Sequence, residues 1–445
     1  MYLPETVKNC IDSLEAQGYR TYAVGGCVRD HLLGLQPHDF DLCTSATPEQ
    51  MRAVFANHRL VLAGIKHGTV GVVTEDGVVE ITTFRTEGSY RDNRHPDWVS
   101  FVTSIEEDLA RRDFTVNAMA WSPTRGLADP FGGAADLNKN ILRAVGDPAT
   151  RFQEDALRIL RGVRFSVRFR LTPDPATLEA MFSQANLMDH LAKERIFDEL
   201  CKLLPLLTAE DLLRFAPVLV TAIPELKAAV GFDQHSAHHA YDLLTHIAHT
   251  TAAVPPDPAL RWAALLHDVG KPATFTLDSQ GHGHFYGHAK ESAVTANRIL
   301  LELKAPTALR EQVVALIELH MNRLEPDRKL LRRRLSRLGP ALLHKLLLLQ
   351  EADMGSKGTG LSSDSSHFDE IRRLLAEIQA ENACLSLKDL AINGADLISL
   401  GFKPGKTIGV CLERVLERVL DEQLPNDRSA LLAEAKIHLS QEDLL

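Results

Sequence analysis

The distribution of β-branched residues divides this chain into two parts with different folds. Short runs rich in Val, Ile and Thr, such as TYAVGG, GTVGVVT and VVEITTF, follow a helical pattern near residues 5–17 and end before about residue 140. Runs of this length that are bounded by glycine or acidic turns are typical of strands. From about residue 142 the apolar residues recur with helical spacing. The sequence therefore predicts an N-terminal α/β domain, with a small mixed sheet and helices, followed by an extended all-α body.

Composition excludes some classes of protein and leaves others open. The net charge of -10 argues against a general nucleic-acid coat protein but leaves room for a local basic groove. The six cysteines are scattered and form no CxxC pair, which is typical of a reducing compartment. Acidic residues stand where a signal peptide needs an apolar core, and no run approaches the ~20 apolar residues that span a bilayer. We therefore expect a cytoplasmic protein with no membrane partner.

Two aspartates separated by one residue are the first candidate catalytic group. On a strand, Asp39 and Asp41 would share one face while Phe40 points to the core. Two adjacent carboxylates repel each other unless a cation lies between them, and Mg²⁺ binds one or two carboxylates together with substrate phosphates. The pattern indicates two-metal phosphoryl or nucleotidyl transfer, with Glu80 either a third ligand or a residue at an exposed edge. A DxD sequence alone is also typical of an Asx-type turn.

Further residues in the first part could bind a nucleotide. Gly25 and Gly26 follow the strand TYAV, so backbone N–H groups there could approach a triphosphate without a Cβ in the way. In DLARRDF, Arg111 and Arg112 could neutralise phosphate and Asp113 could accept a hydrogen bond from a ribose hydroxyl. A surface ion pair is the alternative interpretation of this RRD sequence.

The stretch RFQEDALRIL contains a pair of residues suited to reading a base. The spacing of Asp155 and Arg158 predicts that they lie on one face of a single helix, with Glu154 four residues before the arginine. A carboxylate accepts from the exocyclic amino group of cytosine or adenine, and a guanidinium donates to the neighbouring ring nitrogen. Such a pair would accept CTP and ATP and reject GTP and UTP. The alternative is helix-surface salt bridges, each worth about 0.3–0.5 kcal/mol.

A second group of ionisable residues lies in the helical part. Its members are His246, His267, Asp268, His288, His320 and Asp353. In LLHDVGKP, an ionisable dyad follows an apolar helix and ends at a glycine turn, which predicts a buried dyad. Imidazole and carboxylate ligands suit a divalent transition metal such as Mn, Fe, Ni, Co or Zn, whose identity the sequence does not give. Structural histidines on helices are the alternative.

Two basic segments near the C-terminus have open roles. The run DRKLLRRRLSR (327–337) is either a solvated helix face or a phosphate-contacting surface. GFKPGKT is one residue shorter than a phosphate-loop motif and follows no strand, so we expect a turn between helices instead. There Lys403 and Lys406 either lie near RNA phosphates or belong to a packed turn.

The sequences GG, VRD, DFDL, EITTFR and DLARRDFTVNAMA together resemble the nucleotidyltransferase domain of the polymerase β superfamily. More narrowly, they resemble the class II CCA-adding tRNA nucleotidyltransferases and the related bacterial poly(A) polymerases. The resemblance implies that Asp39 and Asp41 hold Mg²⁺ and that the EDxxR motif selects the base. The nucleotide-binding residues that it implies are Gly25, Gly26, Arg29, Arg111, Arg112, Asp113, Glu154, Asp155, Arg158 and Arg161.

The same resemblance implies two further elements of this domain. One is a flexible loop in TEGSYRDNRHPDWVSF that is needed for the change from cytidine to adenosine addition. The family pattern assigns to this loop Arg85, Tyr90, Arg94 and Pro96. The other is KERIFDEL, in which Glu194 and Arg195 would orient the nucleotide-binding helix.

The histidine and aspartate residues around LLHDVGKP resemble those of the HD-superfamily phosphohydrolases. This resemblance implies metal ligands at His246, His267, Asp268 and Asp353, with His288 and His320 completing a second site or holding phosphate. Some CCA-adding enzymes carry such a domain, associated with 2′,3′-cyclic phosphodiesterase, 2′-nucleotidase or phosphatase activity.

These resemblances imply four segments and one main function. The segments are a catalytic domain (1–140), a helical nucleotide-recognition neck (141–215), an HD-type phosphohydrolase domain (216–356) and a helical tRNA-binding segment (357–445). The expected function is template-independent addition of CCA to the 3′ end of tRNA from CTP and ATP. The alternatives are an A-adding enzyme acting on tRNA-CC, a poly(A) polymerase, and a metal-dependent phosphohydrolase with an RNA-binding N-terminal domain. The sequence makes no prediction of the oligomeric state.

Overall fold

The computed structural model describes residues 1–37, 39–87, 99–236, 240–358, 365–381 and 384–442. Contacts divide the chain into two units. The first is Met1–Lys227 with Glu302–Lys304, and the second is Ala228–Leu301 with Ala305–Leu445. Among the described residues, the helices are too short or too polar to cross a membrane. The finer division into four segments stays a prediction.

The first unit is built on a mixed sheet, as the sequence predicts. The strands are β1 (Thr21–Val24), β2 (Leu42–Thr44), β3 (Leu60–Val61), β4 (Thr69–Thr74), β5 (Gly77–Thr83), β6 (Arg85–Glu87), β7 (Val99–Phe101), β8 (Ala120–Ser122) and β9 (Gly126–Ala128). In the described residues the main sheet has the order β3-β4-β5-β2-β1-β8-β9, and β6 pairs with β7 separately. β2 runs parallel to β5 and antiparallel to β1. The parallel pairing brings the start of β2 beside the middle of β5.

Helices cover this sheet and continue beyond it. They are α1 (Glu5–Glu15), α2 (Gly26–Leu32), α3 (Pro48–Val54), α4 (Ile105–Ala110), α5 (Gly133–Asn138), α6 (Pro148–Glu154), α7 (Leu157–Phe169), α8 (Pro175–Ser183), α9 (Lys193–Leu203), α10 (Ala209–Arg214) and α11 (Ala216–Ala222). A short parallel pair, β10 (Ile141–Leu142) and β11 (Thr172–Pro173), lies among them. One core cluster combines Tyr22, Phe84 and Leu109 from the sheet and α4.

The second unit is mainly helical. Its helices are α12 (Leu243–Ala253), α13 (Pro258–Leu266), α14 (Lys271–Thr274), α15 (His288–Glu302), α16 (Thr307–Leu319), α17 (Arg328–Gly355), α18 (Ser365–Ala380), α19 (Gly394–Ser399), α20 (Lys406–Leu420) and α21 (Arg428–Glu442). Asp242, Asp257 and Asp327 cap α12, α13 and α17, because each side chain accepts a hydrogen bond from a backbone N–H of the first turn. Gly339, with φ 73°, interrupts α17 just before Pro340.

Short strands and 3₁₀ turns interrupt the body that the sequence predicts to be all helical. The SQGHGH loop belongs to a hairpin of β12 (Thr276–Leu277) and β13 (Gly283–His284). Each of these strands has two residues, too few to produce an alternating apolar pattern, so the surrounding helical periodicity dominates the sequence signal. The 3₁₀ segments of this body are Ala185–His190, Leu204–Leu206, Pro224–Ala229 and Leu387–Asp389, and the N-terminal part contains two more, Ile65–His67 and Thr115–Asn117.

The two basic segments near the C-terminus have different surroundings. Arg328 and Arg332 bind Glu422, with donor–acceptor distances of 2.7 and 3.1 Å, and Arg333 binds Asp421 at 2.5 Å. These arginines therefore join α17 to the end of α20 and the turn after it. The GFKPGKT segment connects α19 to α20, as expected, and leaves Lys403 and Lys406 exposed.

Candidate active site and candidate metal centre

Three candidate catalytic carboxylates lie at the start of β2 and on the neighbouring strand β5. β2 begins at Leu42, so Asp39 and Asp41 precede the strand, which corrects the prediction that both lie on it. The backbone carbonyl of Asp41 still accepts a hydrogen bond from Val24 N–H of β1 at 3.0 Å. In the parallel ladder Leu42 is opposite Ile81, so Asp41 and Glu80 precede paired residues. The three acidic residues are exposed.

The charges around Asp41 favour a cation. Desolvation raises the pKa of Asp41, the carboxylates of Glu80 and Asp39 raise it further, and the guanidinium of Arg112 opposes the shift. An oxygen-only donor set with neighbouring negative charges fits Mg²⁺. The donor atoms of the three carboxylates are not grouped tightly. Among the described residues, the two groups whose three donor atoms lie within 4.8 Å of one another both belong to the second unit.

The glycine pair lies against an arginine of the RRD sequence. Gly25 has φ +76°, which favours glycine, and an added Cβ would lie 3.0 Å from Arg112 Nη1. Gly25 N–H donates to the Met119 carbonyl, and Gly26 begins α2. A side chain at Gly25 would therefore both strain the backbone and displace Arg112.

Arg29 of the VRD sequence is buried and bound by protein groups. Its guanidinium donates to Asp30 and Asn117 and lies over the Phe169 ring, 4.2 Å from the centroid. These contacts join α2 to α7 and to the turn that contains Asn117. The nucleotide contact implied for Arg29 stays a prediction, and the geometry supports a positioning role.

A buried aspartate that sequence reasoning missed holds both arginines of the RRD sequence. Asp108 is 1% exposed. Its two oxygens bind Arg111 Nη2 at 2.7 Å and Arg112 Nη2 at 3.3 Å. Burial alone would raise the pKa of Asp108, but Arg111 and Arg112 hold it below its usual value. The sequence contains a signal for these ion pairs, because Asp108 stands three residues before Arg111 and four residues before Arg112.

Asp113, expected to accept a hydrogen bond from ribose, is also bound by protein groups. Arg161 Nη2 lies 2.6 Å from Asp113 Oδ2, and Asn117 Nδ2 donates to Asp113 Oδ1 at 3.0 Å. Burial alone would raise the pKa of Asp113, but Arg161 and Asn117 lower it to about 2. Asp113 and Arg161 thus form an ion pair between the RRD turn and α7.

Asp155 and Arg158 do not lie on one helix, which corrects the prediction from their spacing. α6 ends at Glu154, Asp155 has extended backbone angles (φ -143°, ψ 103°), and α7 begins at Leu157. The Asp155 carboxylate accepts a hydrogen bond from Leu157 N–H at 3.1 Å. Aspartate favours such capping positions, so this local bond overrides the helical spacing. The break places both side chains at the start of α7.

Each residue of the Asp155–Arg158 pair has a second charged residue that fixes it. Arg195 of α9 binds both carboxylate oxygens of Asp155, at 2.9 and 3.2 Å. Glu154 binds Arg158 Nη1 at 2.6 Å, as the sequence predicts. Arg158 Nη2 donates to the Arg111 carbonyl at 2.9 Å, which links this pair to the RRD sequence.

The segment KERIFDEL contributes a further acid that sequence reasoning missed. Glu199 is 3% exposed and binds Arg164 of α7, whereas Glu194 is exposed. Glu199 lies one helical turn after Arg195 on α9. Glu199 contacts Arg164 of α7, and Arg195 contacts Asp155, which precedes α7. Together they fix α9 against Arg164 and Asp155.

The loop residues implied by the resemblance are described only in part. Arg85 N–H donates to Asp108 at 3.3 Å, and its carbonyl accepts from Arg111 Nε at 3.0 Å. Tyr90, Arg94 and Pro96 lie outside the described residues. The base of the loop is thus bonded to the aspartate that holds the arginine pair.

The scattered histidine and aspartate residues of the second unit converge on one buried cluster. Two groups of donors, each within 4.8 Å, share Asp268; they are His246–His267–Asp268 and Asp268–His288–His320. Asp268 Oδ2 lies 3.3 Å from His246 Nε2 and 3.2 Å from His267 Nε2. Asp268 Oδ1 lies 3.3 Å from His288 Nε2 and 3.7 Å from His320 Nε2. The carboxylate therefore bridges two sets of imidazoles.

Asp353 adds a second carboxylate to the first group. Its Oδ1 lies 3.1 Å from His246 Nε2 and 3.8 Å from His267 Nε2. Burial alone would lower the pKa of His246, but hydrogen bonds to Asp268 and Asp353 raise it to about 9. Burial lowers the pKa of His320 to about 4. Both carboxylates therefore lie against His246, whereas His288 and His320 face Asp268.

The four imidazoles are all oriented by backbone carbonyls. Their Nδ1 atoms lie 3.2 Å from Ser356 O for His246, 2.8 Å from Ala264 O for His267, 2.8 Å from Phe285 O for His288, and 2.6 Å from Ile317 O for His320. A carbonyl only accepts, so each Nδ1 carries a proton and each Nε2 faces the cluster, where it binds a metal once it is unprotonated. Metal-binding histidines are oriented in this way.

Polar atoms inside the cluster remain unpaired. Among the described residues, Asp268 Oδ1, His288 Nε2 and His320 Nε2 are buried and lack a hydrogen-bond partner. A bound cation would satisfy all three atoms, and a mixed imidazole and carboxylate set fits a divalent transition metal. Sequence reasoning named all six histidine and aspartate residues of the cluster but not Lys271, whose Nζ lies 2.7 Å from Asp268 Oδ2.

Comparisons with protein families match three parts of the chain. The model described as "Poly A polymerase head domain" matches residues 21–143. The model for tRNA nucleotidyltransferase domain 2 matches residues 278–435. A third, "Probable RNA and SrmB- binding site of polymerase A", matches residues 170–214.

Whole-chain comparisons agree with these matches. The CCA-adding enzymes of Streptococcus thermophilus (34% identical, 97% of each chain covered) and Latilactobacillus sakei (33%, 96% of each) are among the relatives. The crystal structure of the Bacillus stearothermophilus CCA-adding enzyme in complex with CTP superimposes with a TM-score of 0.73 at 28% identity, covering 100% of this chain and 99% of that one. Identity above 30% over nearly the full length shows that the chain belongs to the CCA-adding enzyme family of tRNA nucleotidyltransferases.

Proposed function

We propose that this protein adds CCA to the 3′ end of tRNA from CTP and ATP without a nucleic-acid template. Membership of the CCA-adding enzyme family supports the proposal, as does a similar solved structure that contains CTP. The observation that carries it is the 2.9 Å hydrogen bond from Arg158 Nη2 to the Arg111 carbonyl. This bond joins the residues suited to reading a base to those suited to binding phosphate.

The residues of the first unit have complementary roles in this reaction. Asp39, Asp41 and Glu80 would hold Mg²⁺, which supplies charge stabilisation at the α-phosphate when it is bound. The 3′ hydroxyl of tRNA attacks that phosphorus, its proton is released, and the bond to pyrophosphate breaks. Arg111 and Arg112, oriented by Asp108, neutralise the triphosphate.

Base selection follows from the pair at the start of α7. Asp155 accepts a hydrogen bond from the amino group of cytosine or adenine, and Arg158 donates to the adjacent ring nitrogen. A carboxylate has about four acceptor positions, so Asp155 can bind Arg195 and a base together. Guanine and uracil present a carbonyl oxygen that the carboxylate repels.

Extension of tRNAs that end before CCA, after C and after CC tests this proposal. The reactions contain Mg²⁺ and each nucleotide alone or together, and the ends are sequenced. We expect CCA addition followed by a stop, and Asp155→Asn should raise incorporation of GTP or UTP. Addition of A alone to tRNA-CC would identify an A-adding enzyme, and long A tails would identify a poly(A) polymerase. No addition would leave the phosphohydrolase alternative.

We propose in addition that the second unit contains an HD-type phosphohydrolase centre. The four imidazoles with Nδ1 bound to backbone carbonyls support this proposal, because this orientation turns every Nε2 atom toward the same carboxylates, as in metal-binding histidines. His246, His267, Asp268 and Asp353 would hold one transition metal, and His288 and His320 with Asp268 a second. When bound, such metals lower the pKa of water and polarise phosphate.

The hydrolysis would give the first site a usable substrate. A water oxygen bonds to phosphorus, the phosphoester bond breaks, and the leaving hydroxyl takes up a proton. Removing a terminal phosphate from damaged RNA leaves the hydroxyl that nucleotide addition requires. The substitutions His267→Ala and Asp268→Ala together should abolish phosphate release and transition-metal content while CCA addition continues. Phosphate release by this double variant at the wild-type rate would reject the centre.

The assignment of four segments and of a cytoplasmic location belongs to the same proposal. The segment boundaries at about 140, 215 and 356 would separate catalysis, base recognition, hydrolysis and tRNA binding. Limited proteolysis tests these boundaries, since cleavage between the four segments should concentrate near these positions.

A further inference from the structure

A cavity opens beside the metal-ligand cluster of the second unit. Its volume is about 270 Å³, and its inner wall includes Asp268, His288 and His320. Two lysines, Lys271 and Lys357, also line it. Positive charge next to the ligand cluster suits an anionic group such as phosphate.

The outer wall of this cavity carries an aromatic pair. The rings of His284 and Tyr286 are stacked, with centroids 5.4 Å apart and planes 6° apart. Tyr286 is 78% exposed, although a tyrosine ring is largely apolar. His284 is held in turn by Asp278, whose Oδ2 lies 3.1 Å from His284 Nε2. The His284 ring therefore supports the Tyr286 ring, which remains exposed to a ligand.

The hairpin that carries this pair is firmly attached to the unit. Gly283 N–H donates to the His235 carbonyl at 2.8 Å, and a Cβ on Gly283 would lie 2.2 Å from the Gln234 carbonyl oxygen. Phe285 packs against Phe275 with ring centroids 5.5 Å apart. Phe285 also supplies the carbonyl that orients His288. One short segment thus positions both a metal-ligand imidazole and the exposed aromatic ring.

We propose that His284 and Tyr286 form a base-stacking platform, so that the second site takes nucleoside phosphates rather than simple phosphoesters. The phosphate lies at the cluster and lysines, and the base stacks on Tyr286. Aromatic side chains bind bases of any sequence in this way. The inference rests on the proposed phosphohydrolase and assigns recognition of the base at that site to His284 and Tyr286.

The platform is tested by comparing the hydrolysis of a substrate that carries a base with that of a substrate that carries none. The full chain, loaded with Mn²⁺, is assayed with adenosine 2′-monophosphate and with glycerol 2-phosphate. We expect Tyr286→Ala to raise KM for the nucleotide about tenfold, the effect of removing one base-stacking ring, and to leave glycerol 2-phosphate hydrolysis unchanged. Tyr286→Phe should retain wild-type values. Leu277→Ala, exposed on the same hairpin but outside the cavity, is the matched control.

Calorimetric binding of adenosine to the same proteins gives a readout that needs no turnover. Tyr286→Ala should weaken adenosine binding, and Tyr286→Phe should not. Equal KM values and equal adenosine binding in the wild type and Tyr286→Ala would overturn the platform. Hydrolysis by the wild type in the same experiment would still support the phosphohydrolase. Conversely, loss of adenosine binding in Tyr286→Ala without hydrolysis by the wild type would uphold the platform and reject the phosphohydrolase.

Discussion

The two candidate sites hold their acidic groups in opposite ways. Asp39, Asp41 and Glu80 are exposed at the start of β2 and on β5, and their donor atoms do not form a tight group. Asp268 and His267 are almost fully buried, and their donor atoms lie within 4.8 Å of a third ligand. Under the proposed functions, both sites bind a divalent cation beside a phosphate, one at an open edge and the other in a closed cluster.

The difference agrees with the functions that we propose for the two sites. Exposed carboxylates would leave room for a nucleotide and an RNA end to complete the coordination of a metal. Buried carboxylates need partners, because an isolated buried charge is costly. Lys271 and four backbone-oriented imidazoles supply these partners around Asp268 and Asp353. Under this proposal the substrate would complete the first site, whereas the protein already holds the donor atoms of the second close together.

The largest expected effect comes from removing one carboxylate of the open site. Asp41→Asn should lower the rate of CCA addition by about 10³-fold, because a metal ligand that acts on the transition state is lost. The side chain is exposed, so the melting temperature should stay close to wild type. Glu75→Gln, another exposed acid of this unit, should leave addition unchanged. Substantial addition by Asp41→Asn would contradict the proposed role.

Loss of one imidazole from the closed site should have a graded effect. His320→Ala should halve the transition-metal content measured by mass spectrometry, since Asp268 and His288 alone hold the second ion weakly. Asp268→Ala, which removes the bridging carboxylate, should remove both ions. His344→Ala, an exposed histidine of the same unit, is the control. Equal metal content in all three variants would contradict the bridging arrangement.

Releasing Asp155 should change base selection more than catalysis. Arg195→Gln removes the two-point ion pair that orients this carboxylate. We expect kcat/KM for CTP and ATP to fall about tenfold, with a smaller loss for GTP and UTP, because only the correct bases use the carboxylate. Single-nucleotide addition to tRNA-CC measures these ratios. An equal loss for all four nucleotides would indicate a structural role only.

The smallest effect is expected at the basic run of α17. Arg333 binds Asp421 within the protein, so Arg333→Ala should lower stability by about 0.2–1 kcal/mol, as for other exposed ion pairs. Affinity for tRNA and its dependence on salt should remain unchanged. Asp421→Ala provides the control from the other side of the ion pair. A weaker salt dependence in Arg333→Ala alone would support the phosphate-contact alternative.

The sequence predicts the elements and ligands that depend on local spacing. Residues close together in the chain predict three features of the structure. These are the change from α/β to helical structure, the His267–Asp268 dyad after α13 and the Glu154–Arg158 pair. The break at Asp155 does not follow, because side-chain capping and helical spacing predict different structures for the same residues. Three of the carbonyls that orient the imidazoles lie three residues before the histidine in the chain, but the carbonyl of Ser356 that orients His246 lies 110 residues away, and no local pattern identifies it.

Asp108 and Glu199, which the sequence did not identify, also show that local spacing does not predict every contact of the site. Asp108 has a recognisable spacing to Arg111 and Arg112, and only its burial reveals that it holds both. Glu199 binds Arg164, 35 residues away in the chain, so no local pattern identifies it.

The central claim is that the two sites perform separate reactions, and one paired assay tests it most directly. CCA addition and release of phosphate from adenosine 2′-monophosphate are measured in the wild type, in Asp39→Asn with Asp41→Asn, and in His267→Ala with Asp268→Ala. We predict that the first double variant loses only addition and the second loses only phosphate release. Loss of both reactions in either variant, with both proteins folded, would contradict the claim.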